Sequence, residues 1–148
     1  MTGFKILRGA IVDKINEALE DFDIDKRLIY EALWSPADIT KLPSVIILPE
    51  ELESGYENTA GGRRRIYIFR GYILEELKSG RKQTEIEEEL SDCIDFLIEL
   101  FDKKQSLIVE GLLHVRPTPS VWGNVTYGGG EARFASLTIA CEVIVDST

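Results

Sequence analysis

The feature that most constrains this chain is its final stretch, where Leu137, Ile139, Cys141, Val143 and Val145 alternate with Ser136, Thr138, Ala140, Glu142 and Asp146. A period of two puts one apolar face on a core and one mostly polar face away from it, the pattern of a half-buried strand. A sheet therefore has to be the base of the fold, and the rest of the chain has to cover one side of it.

Two segments carry the helical period that could do so. From Phe4 to Phe22, Leu7, Ile11, Ile15, Ala18, Leu19 and Phe22 recur at threes and fours, with Asp13, Lys14, Glu17 and Glu20 between them. In the second segment Ile86, Leu90, Cys93, Ile94, Leu97 and Phe101 form the stripe, and Thr84 with Glu87 three residues on predicts a capping box at its start.

Further strands are predicted at Arg27 to Trp34, ended by Ser35-Pro36, and at Ser44 to Leu48, a short apolar run between Pro43 and Pro49. Glu50 to Gly62 is polar, contains Gly55, Gly61 and Gly62, and follows neither period, which predicts a long exposed loop after this second strand. Arg63 to Leu74 reads as a strand with two apolar faces, Ile66, Ile68, Tyr72 and Leu74 on one and Tyr67, Phe69 and Ile73 on the other. Lys78 to Lys82 reads as a turn. Leu107 to Val115 and Ser120 to Tyr127 look extended, interrupted by Pro117 and Pro119 at a bend or an edge, and Gly128, Gly129 and Gly130 read as a mobile hairpin tip. The order lacks regular strand and helix alternation. It predicts one α+β domain over residues 1–148, with an antiparallel or mixed β-sheet and two α-helices packed on one face.

Chemistry is sparse. The single histidine, His114, lies in an apolar strand, so a hydroxyl or thiol nucleophile has no evident base, and Cys93 and Cys141 fall on predicted buried faces. One His and two separated Cys cannot supply zinc spacing. Asp21, Asp23 and Asp25 imitate a calcium loop, but Lys26 stands where that loop needs glycine and Ala32 where it needs a bidentate glutamate. No phosphate-binding glycine motif is present, and the paired acids Glu50-Glu51, Glu75-Glu76 and Glu87-Glu88-Glu89 read as hydrated carboxylates. Neither an enzyme nor a cofactor-binding protein is expected.

The first ten residues carry Lys5 and Arg8 within a helical pattern, which does not suggest a leader, and no apolar run approaches membrane length. A cytoplasmic origin is the expectation. With 26 acidic residues against 17 basic ones, the net charge of -9 disfavours nonspecific nucleic-acid binding. Against that background Arg63, Arg64 and Arg65 stand out as three consecutive cations, suited first to an acidic patch on a neighbouring copy, with nucleic-acid contact and simple solvated charge as the other readings.

The opening helix, Arg27 to Trp34, Pro43-Ser44-Val45-Ile46-Ile47-Leu48-Pro49-Glu50, Arg65-Ile66-Tyr67-Ile68-Phe69, the acidic second helix and the strand from Ala135 to Asp146 together resemble the tail terminator proteins of long-tailed bacteriophages. The resemblance spans nearly the whole chain and rests on size and element order. It implies a virion subunit assembled in the host cytoplasm, a homo-oligomeric ring, hexameric by analogy, that ends tail-tube polymerisation. Its partners would be the tail tube protein and the head connector protein, with DNA passing through the ring and no membrane involved. A neck or head completion subunit is the neighbouring reading. A small ligand- or peptide-binding domain using the face around Tyr67, Phe69 and Tyr72 is the reading from another class. In the terminator reading Arg63, Arg64, Arg65, Tyr67 and Phe69 are expected at the subunit interface, and Gly55, Gly61, Gly62, Gly128, Gly129 and Gly130 in mobile assembly loops.

Overall fold

The computed structural model describes residues 2–20, 32–33, 42–55, 62–77, 82–103, 106–127 and 130–146. Helix α1 (Phe4–Leu19) is followed by β1 (Ala32–Leu33), β2 (Ser44–Gly55), β3 (Gly62–Glu76), α2 (Gln83–Asp102), β4 (Leu112–Tyr127) and β5 (Gly130–Asp146). The five strands form one sheet in the order β1-β2-β3-β5-β4. β1 pairs with β2 in parallel and every other pair is antiparallel, so the sheet is mixed and the fold is α+β.

Register assigns the faces. Val45 and Ile47 on β2 lie opposite Ile73 and Gly71 on β3, and Tyr67, Phe69 and Ile73 lie opposite Cys141, Ile139 and Ala135 on β5. These residues form the core face, and one cluster joins them to the buried helix residues Leu7, Ile11, Val12, Ile15 and Leu19 of α1 and Ile86, Leu90, Cys93, Ile94, Leu97 and Phe101 of α2. The α2 stripe is the one the 3.6-residue period predicts; in α1 Leu7, Ile11, Ile15 and Leu19 are buried as predicted, Val12 is buried in addition, and Ala18 is half-buried. Gly71 sits under this layer because a Cβ there would stand 2.9 Å from Leu137 Cδ2 and 3.2 Å from Ile47 Cδ1.

Several expectations need correction. Glu50 to Gly55 is strand, not loop: β2 runs on after a register shift between Pro49 and Glu51, and pairs with β3 out to Gly55 opposite Arg64. A bulge absorbs the proline, and the partner strand satisfies backbone groups whatever the polarity of the side chains. The segment between the strands is thus confined to 56–61, outside the described residues. β4 is one continuous strand through Pro117 and Pro119, which lie opposite Ile139 and Leu137 on β5. Two residues apart, both prolines lack their N–H on the same side, and β4 is an edge strand with that side unpaired.

The capping box does not form. α2 begins at Gln83 with Lys82 as its N-cap and no side-chain cap, so Thr84 lies inside the first turn. Glu87 instead accepts from Arg133 Nε at 2.7 Å. Helix α1 ends at Leu19. Phe22, Asp21, Asp23, Asp25, most of the strand expected from Arg27 to Trp34, and the turn after Leu77 lie outside the described residues, apart from Lys82 itself.

Ala32 is fixed through α1. Its N–H donates to Asn16 Oδ1 at 2.7 Å and its carbonyl accepts from Asn16 Nδ2 at 3.2 Å, so one side-chain amide occupies both backbone groups.

Candidate functional site

β3, β4 and β5 contain 15, 16 and 17 residues and span about 50 Å each at about 3.3 Å per residue. α1 and α2, with 16 and 20 residues, span about 24 and about 30 Å. The helices are shorter than the strands, and past Val143, which is still buried beside Arg65, the paired ends of β2, β3 and β5 form a short arm, with β2 paired to Arg64 and β5 paired to Gly62.

The arginines stand on that arm. Arg63 and Arg65 point to the core-face side and Arg64 to the opposite side, by alternation from buried Tyr67. Arg63 and Arg64 are exposed and Arg65 is half-buried. Arg64 Nη1 lies 3.0 Å from Glu142 Oε1 within the same subunit, so the three cations do not act as one block facing one way.

Tyr67 and Phe69 are not surface residues. They are 4 % and 0 % exposed, and the Phe4 ring of α1 stacks edge-on against both, with centroids 4.8 and 5.6 Å away. Tyr67 Oη also donates to the Thr2 carbonyl at 3.4 Å. Burial by the chain's own helix removes both from any subunit contact. The half-buried apolar residues of β3 are on the opposite face, Ile66, Ile68 and Tyr72. The same correction separates Tyr72 from Tyr67 and Phe69 as parts of one binding surface.

Gly55 ends β2, Gly62 begins β3 and Gly130 begins β5 with φ +140, a conformation that favours glycine. Gly61, Gly128 and Gly129 lie outside the described residues.

At one end of the opposite face Ile46, Leu48, Tyr72, Leu74, Val125, Thr126 and Phe134 line a hollow of about 250 Å³, in which the Tyr72 and Phe134 rings meet edge to face at 5.4 Å. Towards the arm the same face changes character. Register aligns Glu51, Ile68, Ala140 and Arg116 in one row across four strands, and Glu53, Ile66, Glu142 and His114 in the next. Glu51, Glu53, His114 and Arg116 are exposed. The sequence shows the Ile66, Ile68 and Tyr72 side of this face but not its acidic border, because Glu51 and Glu53 fall in the predicted loop, although Glu51-Leu52-Glu53 already carries the period of two.

Cys93 and Cys141 are buried free thiols. Burial, reinforced for Cys93 by Glu75, Asp92 and Glu89, raises the Cys93 thiol, and burial alone pushes Cys141 up to about 12. Neither is a thiolate near neutral pH. Among the described residues no three His, Cys, Asp or Glu side chains group as metal ligands, and no helix is long and apolar enough to cross a membrane.

No family model and no curated protein matches the chain.

Proposed function

We propose that the chain is a structural subunit of a long-tailed phage particle, forming a closed ring at the head-proximal end of the tail tube, where it ends tube polymerisation and offers the surface on which the head connector docks. What supports the reading is the arm. A sheet that outruns its helices, carrying exposed Arg63 and half-buried Arg65 on a chain of net charge -9, presents a basic projection to the acidic surface of an identical neighbour. Contacts of this head-to-tail kind close into rings when the rotation between copies permits. In this role the chain catalyses nothing, binds no cofactor, and lets DNA pass an acidic wall without holding it. Its location in this reading is the virion tail, reached by assembly in the host cytoplasm.

The apolar hollow beside Tyr72 and Phe134 favours one second reading, a small domain that holds an apolar ligand or peptide side chain there.

The deciding experiment is the solution mass of the purified protein by light scattering, alone and with tail-tube protein, for wild type and for Arg63→Glu with Arg65→Glu. Arg64 is left in place because alternation turns it to the opposite face, where it meets Glu142. A ring-sized assembly lost in the double variant supports the ring. Failure of the wild type to form a ring with or without tube protein sinks it, and the hollow then becomes the first place to look for function.

A further inference from the structure

We infer that the half of the opposite sheet face nearest the arm is a two-fold contact between two copies of this chain, with the axis running along the strands between β3 and β5. This contact is independent of the ring reading and uses other residues.

The argument is one of charge and register. The centre of this face holds Ile66 and Ile68 on β3 with Ala140 and Ile144 on β5, and between them the Arg64–Glu142 pair, Glu142 opposite Ile66 and Arg64 opposite Ile144; Ile144 is 43 % exposed. Exposed carboxylates border it on the β2 side, at Glu51 and Glu53. On the β4 side it is bordered by Arg116, a fixed cation, and by His114. In the row of Glu51, Ile68, Ala140 and Arg116 two apolar residues are flanked by opposite charges at the same height, which makes a self-complementary surface of the kind an isologous contact requires.

Only one of the two in-plane axes uses that pattern. A two-fold axis across the strands lays β2 on β2 and sets Glu51 and Glu53 against the same carboxylates of the second copy, a repulsive arrangement. A two-fold axis along the strands preserves height and exchanges sides, so β2 of one copy lies over β4 of the other. Because Glu51 and Arg116 share a row, as do Glu53 and His114, Glu51 then faces Arg116 of the second copy and Glu53 faces its His114, twice over by symmetry. In the same arrangement Ile68 lies over Ala140 of the second copy. The same axis sets Ile66 over Glu142 and Arg64 over Ile144 of the second copy; Arg64 and Glu142 enter the contact already paired at 3.0 Å, which limits the cost of desolvating them. Sheets packed face to face in this way lie about 10 Å apart with strands turned about 30°.

The test is sedimentation velocity on the full chain over a range of concentrations, in the Arg63→Glu and Arg65→Glu background so that no ring contact contributes. The expected species is a dimer. Arg116→Glu sets acid against acid and is expected to weaken the dimer at least about tenfold. Adding Glu51→Lys to Arg116→Glu reverses both charges and is expected to restore it, a rescue that a merely structural role for either side chain does not produce. A monomer at every concentration, or a dimer indifferent to Arg116→Glu, overturns the inference, as does failure of the double reversal to restore a dimer while circular dichroism shows the variant folded. Because the ring is judged by the wild-type mass with tube protein and the dimer by charge reversal in this background, either can fail without the other.

Discussion

Phe69→Ala separates the core of this protein from its surface. Phe69 is fully buried on β3 between Pro49 of β2 and Ile139 of β5, with the Phe4 ring 5.6 Å above it. Paired strands on both sides hold the site open, so the cavity left by truncation relaxes little and the cost falls in the range of about 3–5 kcal/mol seen for buried Phe→Ala changes. With a urea slope of about 2 kcal/mol per molar, the midpoint drops by about 1.5–2.5 M, a large share of the total if the domain has the usual stability of about 5–15 kcal/mol. Ile68→Ala, one residue along and on the half-buried opposite face, is expected to cost about 1 kcal/mol or less. Phe4→Ala combined with Phe69→Ala should show a coupling of about 0.5–1.5 kcal/mol from the lost ring pair. If Phe69→Ala left the urea midpoint within about 0.3 M of wild type while changing the assembly mass, the ring would belong to a subunit contact and the core assignment would be wrong.

Three other perturbations follow from the same geometry. Asn16→Ala strips Ala32 of partners for both its N–H and its carbonyl and should cost about 2 kcal/mol in urea unfolding, with faster hydrogen exchange at the Ala32 amide. Gly111→Ala forces a side chain onto φ +81 and sets its Cβ 2.9 Å from the Ile144 carbonyl oxygen, so thermal unfolding should report a loss of about 2 kcal/mol or more. The buried thiols have folded values raised above the ordinary value of 9.0. Their stabilising contribution is therefore complete below pH 9 and is lost as pH climbs from there towards 12, because the unfolded state gives up its thiol protons first. The two together predict a fall of about 3 kcal/mol between pH 8 and 10, and Cys141→Ala should remove about half of that slope.

Legibility in the sequence followed the strength of the periods. The stripes of α1 and α2 and the alternation of β5 each repeat over four or more positions, and every helix position predicted buried between Ile86 and Phe101 is buried. β3 was legible as a strand with two apolar faces, but which face the helices cover was not. Ile66 and Ile68 are as apolar as Tyr67 and Phe69, and the choice is made by Phe4, more than sixty positions earlier. The outer half of β2 was lost for a related reason. Its glutamates and glycine describe exposure to water, whereas its conformation is set by hydrogen bonding to β3, a long-range pairing that local composition does not encode. Pro117 and Pro119 interrupt nothing, and of the two placements the sequence allows, a bend or an edge, β4 takes the edge, which tolerates missing donors on its open side. The basic cluster was visible as three letters, but alternation splits it between two faces.

The edges of the sheet explain why copies of this chain would meet through a face and an arm instead of by adding strands. Among the described residues β1 pairs with β2 at Val45 and Ile46, and Arg8 Nε caps the next carbonyl, that of Ile47, at 3.0 Å. Beyond it the β2 edge carries Pro49, Glu50, Glu51 and Glu53, with a register shift that bends the strand. The β4 edge carries Pro117 and Pro119 and a second register shift before Trp122. Proline, charge and bulges are the devices by which sheets refuse an added strand, and here both margins use them. In the proposed assemblies association draws on surfaces that such margins leave open, the sheet end at Arg63 and Arg65 and the face turned away from the helices. One is the basic projection at Arg63 and Arg65, whose complement in the proposed ring would lie elsewhere on a neighbour, a head-to-tail geometry. The other is the row of Glu51, Ile68, Ala140 and Arg116, which is complementary to itself.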